Sequence, residues 1–281
     1  MSLIRIEDLS FSYDSGVRPV FEHLNFSIDT SWKLGFIGRN GRGKTTLCRL
    51  LCGAYEYTGS IIRSVRCDYF PFPAPEGDGA VRAVVRRMVA PFDVWEREMD
   101  VLLRTGTQET LETYGALQER YQQADGYIID ELLEREAQKL GVDASVFARP
   151  FSTLSSGERT KLMLAALFLR KNNYLLIDEP TNHLDREGRE AVSAYLSGKE
   201  GFLLISHDRD FLDGCIDHVL SLNRADVEIQ RGNFSTWQAN REKRDQFELD
   251  EHEKLSREVG RLALAAARTA GWSERIERSK I

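Results

Sequence analysis

The eight residues Gly38-Arg39-Asn40-Gly41-Arg42-Gly43-Lys44-Thr45 have the G-x-x-x-x-G-K-[ST] spacing of a loop that grips phosphate oxygens. Gly38, Gly41 and Gly43 lack the Cβ that would stop successive backbone N–H groups from turning toward an anion. A helix beginning just after them would add the positive end of its dipole. Lys44 would then reach the beta and gamma phosphates of a triphosphate such as ATP. The Thr45 hydroxyl is placed for a magnesium ion, Mg2+, and Thr46, one residue further on, for the alpha phosphate. Arg39, Asn40 and Arg42 complete the loop and count with its glycines as nucleotide-binding positions.

A second motif, Leu175-Leu176-Ile177-Asp178-Glu179, ends an apolar strand with two adjacent carboxylates. In open α/β sheets, ligands bind at the carboxyl ends of the strands, so this is where catalytic acids belong. Alternating directions along the strand allow two roles. Asp178 would hold the metal through its water shell, and Glu179 would orient or deprotonate the water attacking the gamma phosphate. His207, in Ile205-Ser206-His207-Asp208, follows the next strand-like run and should emerge on the same edge, within reach of the gamma phosphate. Glu179 and His207 are therefore the catalytic candidates, and Thr45 and Asp178 the metal-binding ones.

The third motif is Leu154-Ser155-Ser156-Gly157-Glu158, directly ahead of the apolar run Leu162–Leu169. Ser155 and Glu158 have the spacing of a capping box, and a well-capped buried helix is the plain reading. Ser155, Ser156, Gly157 and Glu158 also form a helix start suited to an anion. The chain's own loop already holds its phosphates, so the phosphate this second start meets should belong to another copy of the site.

These residues need a frame. Leu34–Ile37 leads into the glycine loop and a helix-compatible stretch runs on through Leu51, giving strand, loop and helix in order. Before it, clustered apolar residues from Leu3 to Phe11 and from Phe21 to Ile28 read as short antiparallel strands, with a turn at Asp14-Ser15-Gly16. Prolines between Phe70 and Pro75 interrupt regular structure. Helical patterns follow near Ala80–Val89, Glu109–Gln123 and Ile128–Leu140, an inserted helical subdomain. Tyr174–Ile177 and Gly201–Ile205 add strands to a largely parallel sheet. Beyond Trp237, residues 241–261 are dense in charge and read as one long exposed helix. Leu255, Val259 and Leu262 form a narrow stripe on it that could pack on a partner or stay solvated.

Composition narrows the class. The chain has 281 residues, 42% of them hydrophobic, enough for a large core. A net charge of -6 argues against indiscriminate nucleic-acid binding, although a local basic patch is compatible with it. Cys48, Cys52, Cys67 and Cys215 form no CxxC pair, which fits reduced structural thiols in a cytoplasmic protein. No apolar stretch is long enough for a signal peptide or a membrane span, so direct membrane insertion is not expected.

In this order and spacing, the glycine loop, the Leu154–Glu158 signature, the carboxylate strand, the turn Pro180-Thr181-Asn182-His183-Leu184-Asp185 and His207 resemble the ATP-binding cassette (ABC) superfamily. The resemblance implies an α/β fold, a P-loop NTPase of the ABC nucleotide-binding type. It has a mostly parallel core sheet, an antiparallel β subdomain and an inserted helical subdomain at about residues 76–170. It also implies ATP hydrolysis with Mg2+, ATP being sandwiched between two cassettes, so that the partner is a second cassette. Tyr13, in Leu9-Ser10-Phe11-Ser12-Tyr13, resembles the aromatic residue that stacks on adenine.

Asn182-His183-Leu184-Asp185 and a signature ending in Glu158 are similar to the ABC-F branch, soluble proteins that act on the ribosome with its tRNA and rRNA. Gly232-Asn233-Phe234-Ser235 and the charged helix after it resemble the start of that branch's interdomain linker. This gives a cassette over 1–235 and a linker over 236–281. Gly38–Gly43 and Tyr69-Phe70-Pro71-Phe72 resemble the antibiotic-resistance type. Two departures stand out: Phe72 occupies the usual place of a glutamine, and Ser156 that of the first signature glycine. ABC-F proteins carry two cassettes, so the chain is expected to be an N-terminal half that turns over ATP slowly when isolated. The ATP-binding subunit of a membrane transporter and a non-catalytic ATP-dependent clamp are the competing expectations.

Overall fold

The computed structural model describes residues 2–14, 19–75, 79–223 and 227–278, with side chains up to residue 262. Ser15 and Gly16 of the expected first turn lie outside the described residues. Contacts divide the chain into two compact units, Met1–Phe234 and Ser235–Ile281.

In the first unit, strand β1 (Leu3–Phe11) pairs antiparallel with β2 (Phe21–Asp29) on one side and β4 (Thr58–Arg63) on the other. Ile4 and Ile6 alternate into the core, and then the alternation slips. Asp8 takes a left-handed φ of 55°, and the pairing with β2 shifts between Ile6 and Leu9. Without that bulge, Leu9 would point to solvent; with it, Leu9 and Phe11 rejoin Ile4 and Ile6 inside. At nine residues each, β1 and β2 are longer than the short strands their apolar clusters suggest.

A six-stranded sheet runs in the order β5 (Arg66–Phe70), β6 (Asn173–Asp178), β7 (Phe202–Ile205), β3 (Lys33–Ile37), β8 (His218–Leu222), β9 (Val227–Arg231). The first five are parallel and β9 alone is antiparallel. β6 and β7 are apolar through nearly every residue because both faces of the sheet are covered. Parallel strands share one carboxyl edge, so the chain segments after Ile37, Phe70, Asp178 and Ile205 all leave from the same side.

Helix α1 (Lys44–Leu51) packs Leu47, Cys48, Leu50 and Leu51 into the core. The helical insertion comprises α2 (Val81–Val89), α3 (Phe92–Thr105), α4 (Gln108–Gln123), α5 (Ile129–Lys139) and α6 (Ser156–Leu169). α6 is buried continuously from Leu162 to Leu167, consistent with its all-round apolar sequence. α3 has no counterpart among the sequence expectations. Only its first turn, at Phe92 and Trp95, is buried, although Pro91 ahead of it is a start signal and Phe92, Trp95, Met99 and Leu102 recur at helical spacing. α7 (Arg186–Ser197) and α8 (Arg209–Cys215) complete the unit. Cys48 and Cys215 are buried, and burial pushes the partly buried Cys52 thiol up to about 12, too high for reactivity.

The described residues of the second unit all lie in one helix, α9 (Phe234–Arg278). Arg257 pairs with Glu253 at 3.1 Å and Arg261 with Glu258 at 3.7 Å, contacts of helical spacing. Leu255, Val259 and Leu262 are exposed on it. Among the described residues no helix is long and apolar enough to cross a membrane.

Candidate functional site

The glycine loop joins β3 to α1 and bends at left-handed residues, Gly41 with φ 76° and Gly43 with φ 90°. A Cβ on Gly43 would lie 2.6 Å from Val20 and 2.7 Å from Phe21, whereas one on Gly41 would face open space. Gly43 is the N-cap of α1 and supplies no side-chain acceptor, so the first amides of the helix have no side-chain cap. Lys44 donates from Nζ to the Gly38 carbonyl at 2.8 Å, which draws its ammonium across the loop. Burial lowers the Lys44 pKa, with Asp178 and Glu179 acting in the opposite direction.

This loop forms one wall of a cleft of about 570 Å³. Asn40, Gly41, Gly43, Lys44, Thr45 and Thr46 line it from the loop, Asp178 and Glu179 from the end of β6, and His207 from beyond β7. Tyr13 closes another side, its hydroxyl 2.8 Å from Thr46 Oγ1 and its ring set edge-on to Phe11. Val20, Tyr69, Pro71, Asn182 and Ile205 also line the cleft, although the sequence motifs that contain four of them gave none a role at the site.

Strand alternation would send Asp178 and Glu179 to opposite faces, yet both enter this cleft. Glu179 leaves the strand with a left-handed φ of 49° while its amide still bonds to the Ile205 carbonyl at 2.9 Å. A left-handed glutamate is strained, and here the turn brings two carboxylates to one place. Asp178 is buried, and its Oδ2 accepts from the Thr45 hydroxyl at 2.7 Å and from the Tyr69 phenol at 2.8 Å. Glu179 Oε1 lies 3.5 Å from His207 Nε2 and is buried without a hydrogen-bond partner. Burial raises the Glu179 pKa, and the nearby His207 offsets part of the rise.

The donor set suits Mg2+: a hydroxyl and a carboxylate at the start of α1 are hard oxygen ligands. Among the described residues no cluster of three His, Cys, Asp or Glu forms a cage, so such an ion would need phosphate oxygens and water to complete its shell. The orphaned Glu179 oxygen beside this set fits a site that awaits a polar group.

Ser155, Ser156, Gly157 and Glu158 do not line the cleft. They start α6, where Ser155 Oγ accepts from the Glu158 amide at 3.1 Å and the Glu158 carboxylate accepts from the Ser155 amide at 2.8 Å. Both halves of the expected capping box are present. Gly38, Arg39 and Arg42 also stay out of the lining, Gly38 acting through its carbonyl on Lys44. Phe72 is outside it too, its ring 4.3 Å from the Arg170 guanidinium. Tyr69, quoted in the sequence only as part of an aromatic segment, had no expected place at the site because a strand tyrosine is ordinarily packing; that β5 lies beside β6 is a tertiary fact.

Residues 21–182 match the family description of ABC transporters. The chain is 30% identical over 280 residues to YfmM of Bacillus subtilis, an uncharacterized ABC transporter ATP-binding protein, covering 95% of this chain and 54% of that one. It is 31% identical over 283 residues to the energy-dependent translational throttle protein EttA of Haemophilus influenzae, covering 92% of this chain and 50% of that one. The chain thus spans about half the length of these curated relatives. An inward-facing metal-chelate type ABC transporter superposes with a TM-score of 0.54 at 20% identity, over 82% of this chain and 83% of that one, a likeness of fold.

Proposed function

The chain belongs to the ABC transporter family of ATP-binding domains, and from that membership we propose that it is a Mg-ATP-hydrolysing cassette of the ABC-F type, working in the cytoplasm on the ribosome. The observation that carries the hydrolytic part is the convergence of Lys44, Thr45, Asp178, Glu179 and His207 on one cleft. The ribosomal part is supported by the likeness to a translational throttle protein over most of the chain. It is also supported by the charged helix α9, read as the start of an interdomain linker after a cassette of residues 1–235.

The residues divide the work. The loop amides and the Lys44 ammonium hold phosphate oxygens, and Tyr13 offers a ring face to the base. Thr45 and Asp178 would hold Mg2+, which when bound neutralises charge on the phosphates. Glu179 orients the attacking water and accepts its proton, and its raised pKa makes it a better base than an ordinary carboxylate. His207 contacts the gamma phosphate and steadies the charge of Glu179. Ser155 to Glu158 serve a phosphate held by another cassette, because they stand outside their own cleft.

The name of YfmM favours a second reading, an ATP-binding subunit of a transporter. Turnover of ATP measured against protein concentration, with and without ribosomes, tests both. A rate per molecule that rises with concentration and with ribosomes supports the proposal. Fast turnover by a proven monomer contradicts the shared site, and indifference to ribosomes favours the transporter reading.

A further inference from the structure

Asp178 presents one oxygen to two hydroxyls, and only one of them belongs to the phosphate loop. The Thr45 and Tyr69 hydroxyls converge on Oδ2 at 2.7 and 2.8 Å, and neither touches Oδ1. Tyr69 lies on β5, whose register sets it beside Leu176 and Phe70 beside Ile177, so its side chain reaches forward along the strand edge to Asp178. The last turn of β5 has little else to offer. Phe72 is stacked under Arg170, and the remaining cleft contribution of this segment among the described residues is Pro71.

We propose that Tyr69 is a positioning residue for the divalent cation: its phenol locks the Asp178 carboxylate so that Thr45 and Asp178 Oδ1 face one ion together. This inference rests on the reading of the cleft as a Mg-nucleotide site and deepens it. A buried carboxylate with one anchor can rotate about its terminal torsion, and that torsion has a broad energy well. Two donors on one oxygen remove the rotation and leave the second oxygen for a metal-bound water. Groups that orient a metal ligand in this way commonly change metal affinity 10- to 100-fold, so the phenol is of the right kind and in the right place.

The test is Tyr69→Phe, which keeps the ring and removes the donor. ATP affinity is measured by calorimetry on the whole chain, once with Mg2+ and once with chelator, and Mn2+ binding to the ADP complex is followed by electron paramagnetic resonance. Within each protein, the ratio of the two ATP affinities cancels any general loss of folding or nucleotide grip. The expected result is a ratio reduced about 10-fold and Mn2+ bound about 10-fold more weakly, with metal-free ATP affinity held. An unchanged ratio with Mn2+ bound as by the parent overturns the role of Tyr69. If the parent itself binds ATP no better with Mg2+ than without, the reading of the cleft has failed instead, and the two failures are distinguishable.

Discussion

Glu179 Oε1 stands 3.5 Å from His207 Nε2, buried, with no hydrogen bond of its own. A carboxylate held in that state favours its neutral form, and the imidazole beside it works the other way. As a base, Glu179 must be ionised, so turnover should fall as pH drops through its raised pKa. The acid limb of the rate profile should therefore lie above the 4.5 of an ordinary glutamate. His207→Ala removes the offset and should move that limb to still higher pH. A profile that His207→Ala leaves in place breaks the electrostatic link.

Glu179→Gln should bind ATP with little change and hydrolyse it about 100-fold or more slowly, the usual contribution of a general base. Single-turnover kinetics on nucleotide-loaded protein separates binding from chemistry. Parental turnover by the variant would remove Glu179 from its assigned role.

Gly43→Ala asks two things of the loop that it cannot give. The new Cβ would lie 2.6 Å from Val20, and the residue would sit at φ 90°. The strain should cost about 1–3 kcal/mol. The loop could relieve it only by opening, which misaligns its amides. Calorimetric ATP titration should show affinity reduced at least several-fold, together with a lower melting temperature.

Ser155→Ala removes the acceptor for the Glu158 amide and should cost about 1 kcal/mol of stability. Because Ser155 is outside the cleft, ATP affinity of dilute chain should stay at the parental value. Turnover should fall only at concentrations where cassettes pair. A large loss of ATP affinity in dilute solution would argue that the signature serves its own nucleotide.

Glu136 on α5 is buried among Lys139, Lys199 and the Tyr195 hydroxyl, a junction between the helical insertion and α7. Burial raises its pKa, but the bonds from Lys139, Lys199 and Tyr195 outweigh burial and hold it down to about 2, against 4.5 unperturbed. A depressed carboxyl contributes stability that is present above 4.5 and lost as pH falls toward 2. Glu136→Gln should cost about 2 kcal/mol at neutral pH, less than the full shift implies because the Lys139 side is screened by solvent. The difference between variant and parent should vanish over that acid window in urea melts. A constant difference across it would show that the cost is packing and not charge.

The Gly38–Thr46 loop, the capping box at Ser155 and the long helix α9 were legible because each is written in residues close together in the chain. Glycine spacing, cap spacing and charge density are local properties, and local physics reads them. So were Asp178 and His207, since an apolar run ending in a polar residue marks a strand edge. α3 was written locally as well, in Phe92, Trp95, Met99 and Leu102 at helical spacing behind Pro91, although no helix was expected there.

What the sequence determined by itself is which groups can hold phosphate and metal and which helix starts can receive an anion. What tertiary structure alone decided is who meets whom. Tyr69 reaches Asp178 because β5 pairs with β6. Glu179 joins Asp178 because a left-handed turn overrides alternation. Phe72 leaves the cleft because Arg170 holds its ring. Strand order and the turn at a strand's end depend on packing between segments far apart in the chain, and no spacing within any one motif encodes them.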